Sequence, residues 1–243
     1  MSASRLETDA AGTWLAVPQF GAPHRFGTRT FLGEGVPAID GLPVIRARQV
    51  HRNGVLLVGD PIDGEDWQAR AAAAEADAVA IGRSGYWAGV STADCLPLLL
   101  YDPVAGAAAA IHAGWRGALM GVAPAALCAL GEGFGSRPHA VEAAIGPHIG
   151  VCCFEVGPAV LDALARFPRW ERWVPRRSGE KGWFDLRAFV QWQLQEAGVA
   201  ATRIWAVDRC TRCEGDLFSS YRREGLKPRG MLSAVRLPAA ASS

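Results

Sequence analysis

Leu96-Pro-Leu-Leu-Leu-Tyr-Asp-Pro-Val-Ala-Gly-Ala-Ala-Ala-Ala-Ile-His-Ala-Gly-Trp-Arg-Gly117 is the stretch that sets the fold class. Leu96–Tyr101 is a continuous apolar run closed by Asp102-Pro103, which suits a buried strand ending in a turn. Ala107–Ile111 follows directly after Gly106. The gap is too short for a helical crossover, so the two runs predict an antiparallel hairpin. A long apolar pattern over Ala118–Leu130 then predicts a helix, with Pro124 forcing a kink or a late start.

The same alternation extends outward. Val44–Val50 and Val55–Val58 read as strands around a polar break at His51-Arg-Asn-Gly54. Ala76–Ile81, Val141–Ile145, Ile204–Val207 and Met231–Val235 read as further strands. Pro158–Phe167 and Leu186–Ala197 read as helices, with Gly198 placed to end the second. Close strand pairs mixed with helices imply an α/β domain with a mixed or antiparallel sheet. No linker or repeat divides the chain. One domain over residues 14–237 is expected, with residues 1–13 and 238–243 as flexible termini.

The 243 residues are half hydrophobic and hold 25 Lys and Arg against 24 Asp and Glu. A net charge of +1 argues against partners held by bulk electrostatics, so neither nucleic acid nor a membrane surface is expected. No apolar run reaches 18 residues, so no spanning helix is expected. Met1–Thr13 has one arginine, two acids and no apolar core, which predicts no secretory leader and a cytoplasmic protein. In that compartment the six cysteines are expected as thiols or ligands, not disulfides.

Three chemistry-bearing side chains fall at predicted strand ends: His51, Cys95 in Thr92-Ala-Asp-Cys-Leu-Pro97, and His112. Strand ends of α/β sheets are where ligands usually bind. Two imidazoles and a thiolate suit zinc or copper, and three ligands with one open position is the catalytic zinc arrangement. The spacings match no short metal motif, so a buried cysteine with two hydrogen-bonded histidines is the competing reading. Gly114-Trp-Arg-Gly117 lies where a strand passes into a helix. It reads either as an anion site strengthened by Arg116 or as a tight turn with Trp115 in the core. His148 reads as a loop histidine or as part of a cleft. Cys152-Cys153 are adjacent, and one thiol is expected in and one out. Cys210-Thr-Arg-Cys213 has knuckle spacing, but no second such pair completes a four-cysteine site. Phosphate-loop, dinucleotide and Gly-x-Ser-x-Gly motifs are absent, which removes the commonest kinases, nicotinamide enzymes and serine hydrolases.

Seven segments occur in an order that resembles one family. They are Arg48-Gln-Val-His51, Ala76-Asp-Ala-Val79, Thr92–Pro97, Ile111–Gly117, Ala144-Ile-Gly-Pro-His-Ile-Gly150, Cys153-Phe-Glu-Val-Gly157 and Phe218-Ser-Ser-Tyr-Arg-Arg-Glu-Gly225. Together they resemble the YfiH family, also called the laccase-domain or polyphenol oxidase family. The resemblance implies a single-domain four-layer α/β sandwich with mixed sheets, a broad fold shared with cysteine-dependent deamidase toxins. It implies one metal, usually zinc, on His51, Cys95 and His112. His24-Arg-Phe-Gly-Thr-Arg29 resembles the family's opening strand. The glycine-rich segment and asparagine loop that normally follow are absent, and His51 is followed by Arg52 where the family usually has glycine.

Members are described as purine nucleoside phosphorylases with adenosine deaminase side activity. The resemblance therefore implies a purine nucleoside and phosphate as small-molecule partners. Arg29, Arg48 and Arg116 are expected at phosphate by charge and position. Asp94 is read as a buried cap, with general base as the guess beside it. A monomer is expected. The rival readings are copper-dependent oxidation of phenols, a metal-free cysteine hydrolase or amidase acting in peptidoglycan editing with Cys95 as nucleophile and His112 as base, and a non-catalytic nucleotide-binding protein.

Overall fold

The computed structural model describes residues 4–33, 37–59, 67–225 and 229–239. Among these, two large sheets lie face to face. The first has seven strands in the order β1 (Arg5–Asp9), β2 (Gly12–Ala16), β3 (His24–Gly27), β16 (Met231–Val235), β8 (Trp87–Thr92), β5 (Leu42–Ile45) and β4 (Ala38–Ile39). The second has six, in the order β15 (Ile204–Ala206), β11 (Glu142–Ile145), β9 (Leu96–Asp102), β10 (Ala107–Ala113), β7 (Ala78–Ile81) and β6 (Val55–Val58). Most neighbours are antiparallel. The pairs β5–β8, β6–β7 and β11–β15 are parallel, so both sheets are mixed. A small antiparallel sheet joins β12 (Glu155–Val156), β14 (Lys181–Trp183) and β13 (Arg176–Ser178).

The expected hairpin is the centre of the second sheet. β9 and β10 pair in antiparallel register from Ala107 opposite Asp102 to Ala113 opposite Leu96, and every residue of both strands is buried. Side chains alternate between two cores because successive residues point to opposite faces. Leu98, Leu100, Ala109 and Ile111 face a helical layer, whereas Leu99, Tyr101, Ala108 and Ala110 face the other sheet. The helical layer holds α2 (Trp115–Leu119), α3 (Val122–Phe134), α4 (Pro158–Leu164) and α5 (Leu186–Glu196). α1 (Trp67–Ala73) packs beside β5, and α6 (Tyr221–Glu224) is one short turn. No helix among the described residues is long and apolar enough to cross a membrane.

Three expectations change. The single helix over Ala118–Leu130 is two helices, broken at Gly121, whose φ of +80° suits glycine. Pro124 sits in the first turn of α3, where its missing N–H costs nothing. The expected flexible terminus is instead ordered from Arg5. The hairpin β1–β2 inserts the buried Trp14 and Leu15, and buried Arg25 ties down its turn by bonding Asp9 at 2.8 Å and Asp40 at 2.7 Å. Finally, among the described residues three layers are seen where four were expected. The outer face of the seven-stranded sheet carries a small cluster of Trp14, Phe31, Val44, Trp87 and Leu232, over which Arg25 lies 4.0 Å from the Trp14 ring centre. Residues 1–3 and 240–243 of the two termini lie outside the described residues.

Candidate metal-binding pocket

The strand register itself assembles the site. Ile111 pairs with Ala78, which puts Asp77 opposite His112 where β7 begins and β10 ends. Ala113 pairs with Leu96, which sets Cys95 beside the same end of β10. The segment leaving β5 brings His51 over both. The ligand atoms of His51, Cys95 and His112 all lie within 4.8 Å of one another, and the two imidazoles meet edge to face with centres 4.8 Å apart.

Asp77 organises this cluster. It is fully buried, and its carboxylate accepts the backbone N–H groups of His51 at 2.9 Å, Arg52 at 2.7 Å and Val50 at 3.2 Å. It also bonds His112 Nδ1 at 2.7 Å, which leaves Nε2 for the cluster. A carboxylate behind a histidine is the usual way a metal ligand is oriented. These contacts hold the Asp77 carboxyl below its ordinary range against the opposing effect of burial. His51 has φ of +59°, a conformation unusual for a residue with a side chain, and Asp77 is what holds it there.

Burial pushes the Cys95 thiol up, but the charge of His112 and hydrogen bonds from His112 and His51 outweigh it and bring the thiol to about 6. Burial lowers His112, but Cys95 and Asp77 override it and raise it to about 9. As protein groups alone, the two form a thiolate and imidazolium at neutral pH. The donor set fits a divalent cation of borderline softness, which takes the thiolate and both imidazoles as ligands once the His112 Nε2 proton is displaced.

Glycine at 114 suits this crowding. A Cβ there would stand 3.1 Å from Cys95 Sγ and 3.2 Å from His51 Cδ2. At Gly117 a Cβ would meet the Arg52 carbonyl oxygen at 2.7 Å. Close approach explains both glycines of Gly114–Gly117, and Trp115 is half-buried on the pocket wall, not enclosed in the core.

A cavity of about 590 Å³ opens above the cluster. Trp115, Phe154, Ile149 and Leu186 give it apolar walls, and Arg116 and Arg222 supply positive charge. Arg116 also lies 4.2 Å from the Trp115 ring centre. Gln49 reaches the cavity while its side-chain amide makes paired bonds with the Ser91 backbone, both at 2.8 Å.

Of the three arginines expected at phosphate, only Arg116 lines this cavity. Arg48 is exposed and paired with Glu75 at 2.5 Å. Arg29 bonds the Gly215 carbonyl at 2.6 Å and lies 3.7 Å from Glu224. Both cations are engaged by the chain itself, away from the cavity lining. Arg222 lines the cavity, with its Nη1 donating to the Glu155 carbonyl at 3.1 Å, and its place in the quoted Tyr-Arg-Arg segment was the available signal. Asp94 is a cap: it accepts Thr211 Oγ1 at 2.5 Å, Ser220 Oγ at 3.0 Å and Arg222 N–H at 2.6 Å. His148 is buried, bonded to the Gly146 carbonyl, and faces a separate smaller cleft.

The cysteine reading also changes. Cys152, Cys153, Cys210 and Cys213 form a second candidate metal group, their sulfur atoms all within 4.8 Å. The adjacent pair completes the knuckle that lacked a partner, because the β11–β15 pairing carries the two loops together. Cys152 is exposed and Cys153 is half-buried against the core, so the expected split of one thiol in and one out is present in part. Cys213 belongs to the group, and Cys128 is exposed on α3.

Residues 36–237 match the family described as multi-copper polyphenol oxidoreductase laccase. The chain belongs to this family. The chain is 34% identical over 214 residues to a purine nucleoside phosphorylase of Bacteroides thetaiotaomicron, spanning 86% of this chain and 78% of that protein. The chain is also 36% identical over 186 residues to adenosine deaminase RL5 of an unknown prokaryotic organism, spanning 75% and 71%. The crystal structure of YlmD from Geobacillus stearothermophilus superposes with a TM-score of 0.83 at 26% identity, covering 98% of this chain and 100% of that one. The YfiH and laccase-domain resemblance carried by the seven motifs is thereby established.

Proposed function

We propose that the chain is a zinc-dependent purine nucleoside phosphorylase with adenosine deaminase side activity. Inosine or adenosine and phosphate would give the free base and a pentose 1-phosphate. The observation that carries this reading is the convergence of His51, Cys95 and His112 on a cavity that also presents two arginines. Relatives bearing these two activities in their names support it.

His51, Cys95 and His112 would hold the metal. A divalent cation on these residues supplies Lewis-acid polarisation of a substrate oxygen. Asp77 keeps His112 in one tautomer and fixes the backbone that carries His51. Trp115 and Phe154 offer flat apolar surfaces to a purine, and Arg116 and Arg222 offer guanidinium forks to phosphate. Asp94 is fully engaged as a cap and is given no proton to move.

A cysteine hydrolase is the second reading, because Cys95 and His112 meet as a thiolate nucleophile and an imidazolium that can return a proton to a leaving group. A metal ion bound to Cys95 in one-to-one ratio with the chain contradicts it. The chain has five histidines, and only two converge at this site, too few for a multi-copper cluster. Product analysis on inosine with and without phosphate tests the proposal. Hypoxanthine and ribose 1-phosphate should form together and only with phosphate. Equal hypoxanthine release without phosphate contradicts it.

A further inference from the structure

Two loops cross at the edge of the six-stranded sheet, carrying Cys152-Cys153 and Cys210-Thr-Arg-Cys213. Cys153 Sγ lies 3.3 Å from Cys213 Sγ, and Cys152 Sγ lies 3.7 Å from it. The edge of a tetrathiolate zinc tetrahedron is about 3.8 Å for zinc–sulfur bonds of about 2.3 Å. Two N–H groups already point at these sulfurs. Gly150 N–H donates to Cys210 Sγ at 3.3 Å, and Arg212 Nη1 donates to Cys153 Sγ at 3.5 Å. Such donors stabilise thiolates around a cation, whose tetrathiolate complex carries a net charge of −2. Gly150 packs tightly here, since a Cβ would meet Cys152 Sγ and Cys210 Cβ, both at 3.3 Å.

We infer that Cys152, Cys153, Cys210 and Cys213 form a structural zinc site, separate from the His51, Cys95 and His112 group. Four ligands close the coordination sphere, which is the structural and not the catalytic arrangement. Binding releases the thiol protons to solvent and changes no oxidation state.

The site staples the cavity wall. Ile149 and Phe154 flank the first cysteine pair and line the cavity. Thr211 lies inside the second pair, bonds the Asp94 carboxylate, and donates its N–H to the His148 carbonyl at 3.0 Å. Zinc therefore joins the two loops that set Phe154 and Asp94. This inference does not rest on the reaction proposed above.

Metal analysis of the full chain purified without added metal should find two zinc ions per chain. The double variant Cys210→Ser, Cys213→Ser should retain one, and His51→Ala should lose the other. A measurement on the unaltered protein removes any doubt about folding of the variants. Alkylation under denaturing conditions before and after a chelator, read by mass spectrometry, should show all four cysteines reduced. Under native conditions they should be protected until the chelator is added, with exposed Cys128 labelled throughout. Chelation should also lower Tm by about 5 °C or more. Zinc content unchanged by the double variant, native labelling of the four thiols without chelator, or a disulfide among them would each overturn the inference.

Discussion

Asp77 is one carboxylate with four hydrogen-bond partners on two segments, and it carries much of the site's order. Asp77→Asn can keep some of these bonds but loses the charge behind His112. It should weaken metal binding about 10- to 100-fold, read by competition with a coloured chelator. Asp77→Ala also strands three part-buried backbone N–H groups and should cost about 3 kcal/mol in urea unfolding. His51, Cys95 and His112 were legible in the sequence because a histidine or cysteine at a strand end is uncommon and chemically specific. Asp77 was not, since an aspartate before a strand looks like any turn residue until the register puts it opposite His112. Arg29 and Arg48 misled for the converse reason. Charge is visible in a sequence, but prior engagement by Glu224, Gly215 or Glu75 is not.

At the scale of elements, the β9–β10 hairpin delivers Cys95 and His112 together. Its turn is held by Asp102, which accepts Val104 N–H at 2.8 Å and Ala105 N–H at 3.0 Å. The other carboxylate oxygen takes Ser136 Oγ at 2.5 Å and Arg137 N–H at 3.2 Å, tying the turn to the end of α3. Asp102→Ala should destabilise the chain by about 2–4 kcal/mol in thermal or urea unfolding, because the buried Ser136 hydroxyl and three part-buried N–H groups lose one acceptor. This hairpin was readable because both strands are buried on both faces and so appear as unbroken apolar runs. The strand β8 was missed. Gly89 interrupts it, and the Cβ absent there would meet Val44 Cγ1 at 2.8 Å, a close approach that only the packed sheets reveal. The β1–β2 hairpin was missed because most of its side chains are exposed or half-buried. Its anchor is a distant arginine rather than its own pattern.

Over the whole molecule, half-buried His24 and buried His148 are expected to set the acid limit. His24 accepts Val17 N–H at Nε2, 2.8 Å away, and its Nδ1 donates to the Ala22 carbonyl at 2.8 Å, a scheme that only the neutral ring satisfies. Burial lowers His24 and His148 below the ordinary histidine value of 6.5. Their neutral forms are favoured by the fold, so their contribution is complete above pH 6.5 and is lost as pH falls through their lowered values. The urea midpoint should therefore drop between pH 7 and pH 5, and His24→Gln should flatten part of that drop. An unchanged midpoint over this interval contradicts the assignment. The two-sheet architecture rests on pairings such as β3–β16, between residues some 200 positions apart, which local patterning does not encode. The same long-range closure brings Arg222 to the cavity and the two cysteine pairs to each other. The most direct test of the central claim is the rate of ribose 1-phosphate formation from inosine by His112→Ala against the unaltered chain. The account predicts a loss of about a thousandfold, as removal of a proposed metal ligand worth several kcal/mol of transition-state stabilisation requires. A rate within a few fold of the unaltered chain would contradict it.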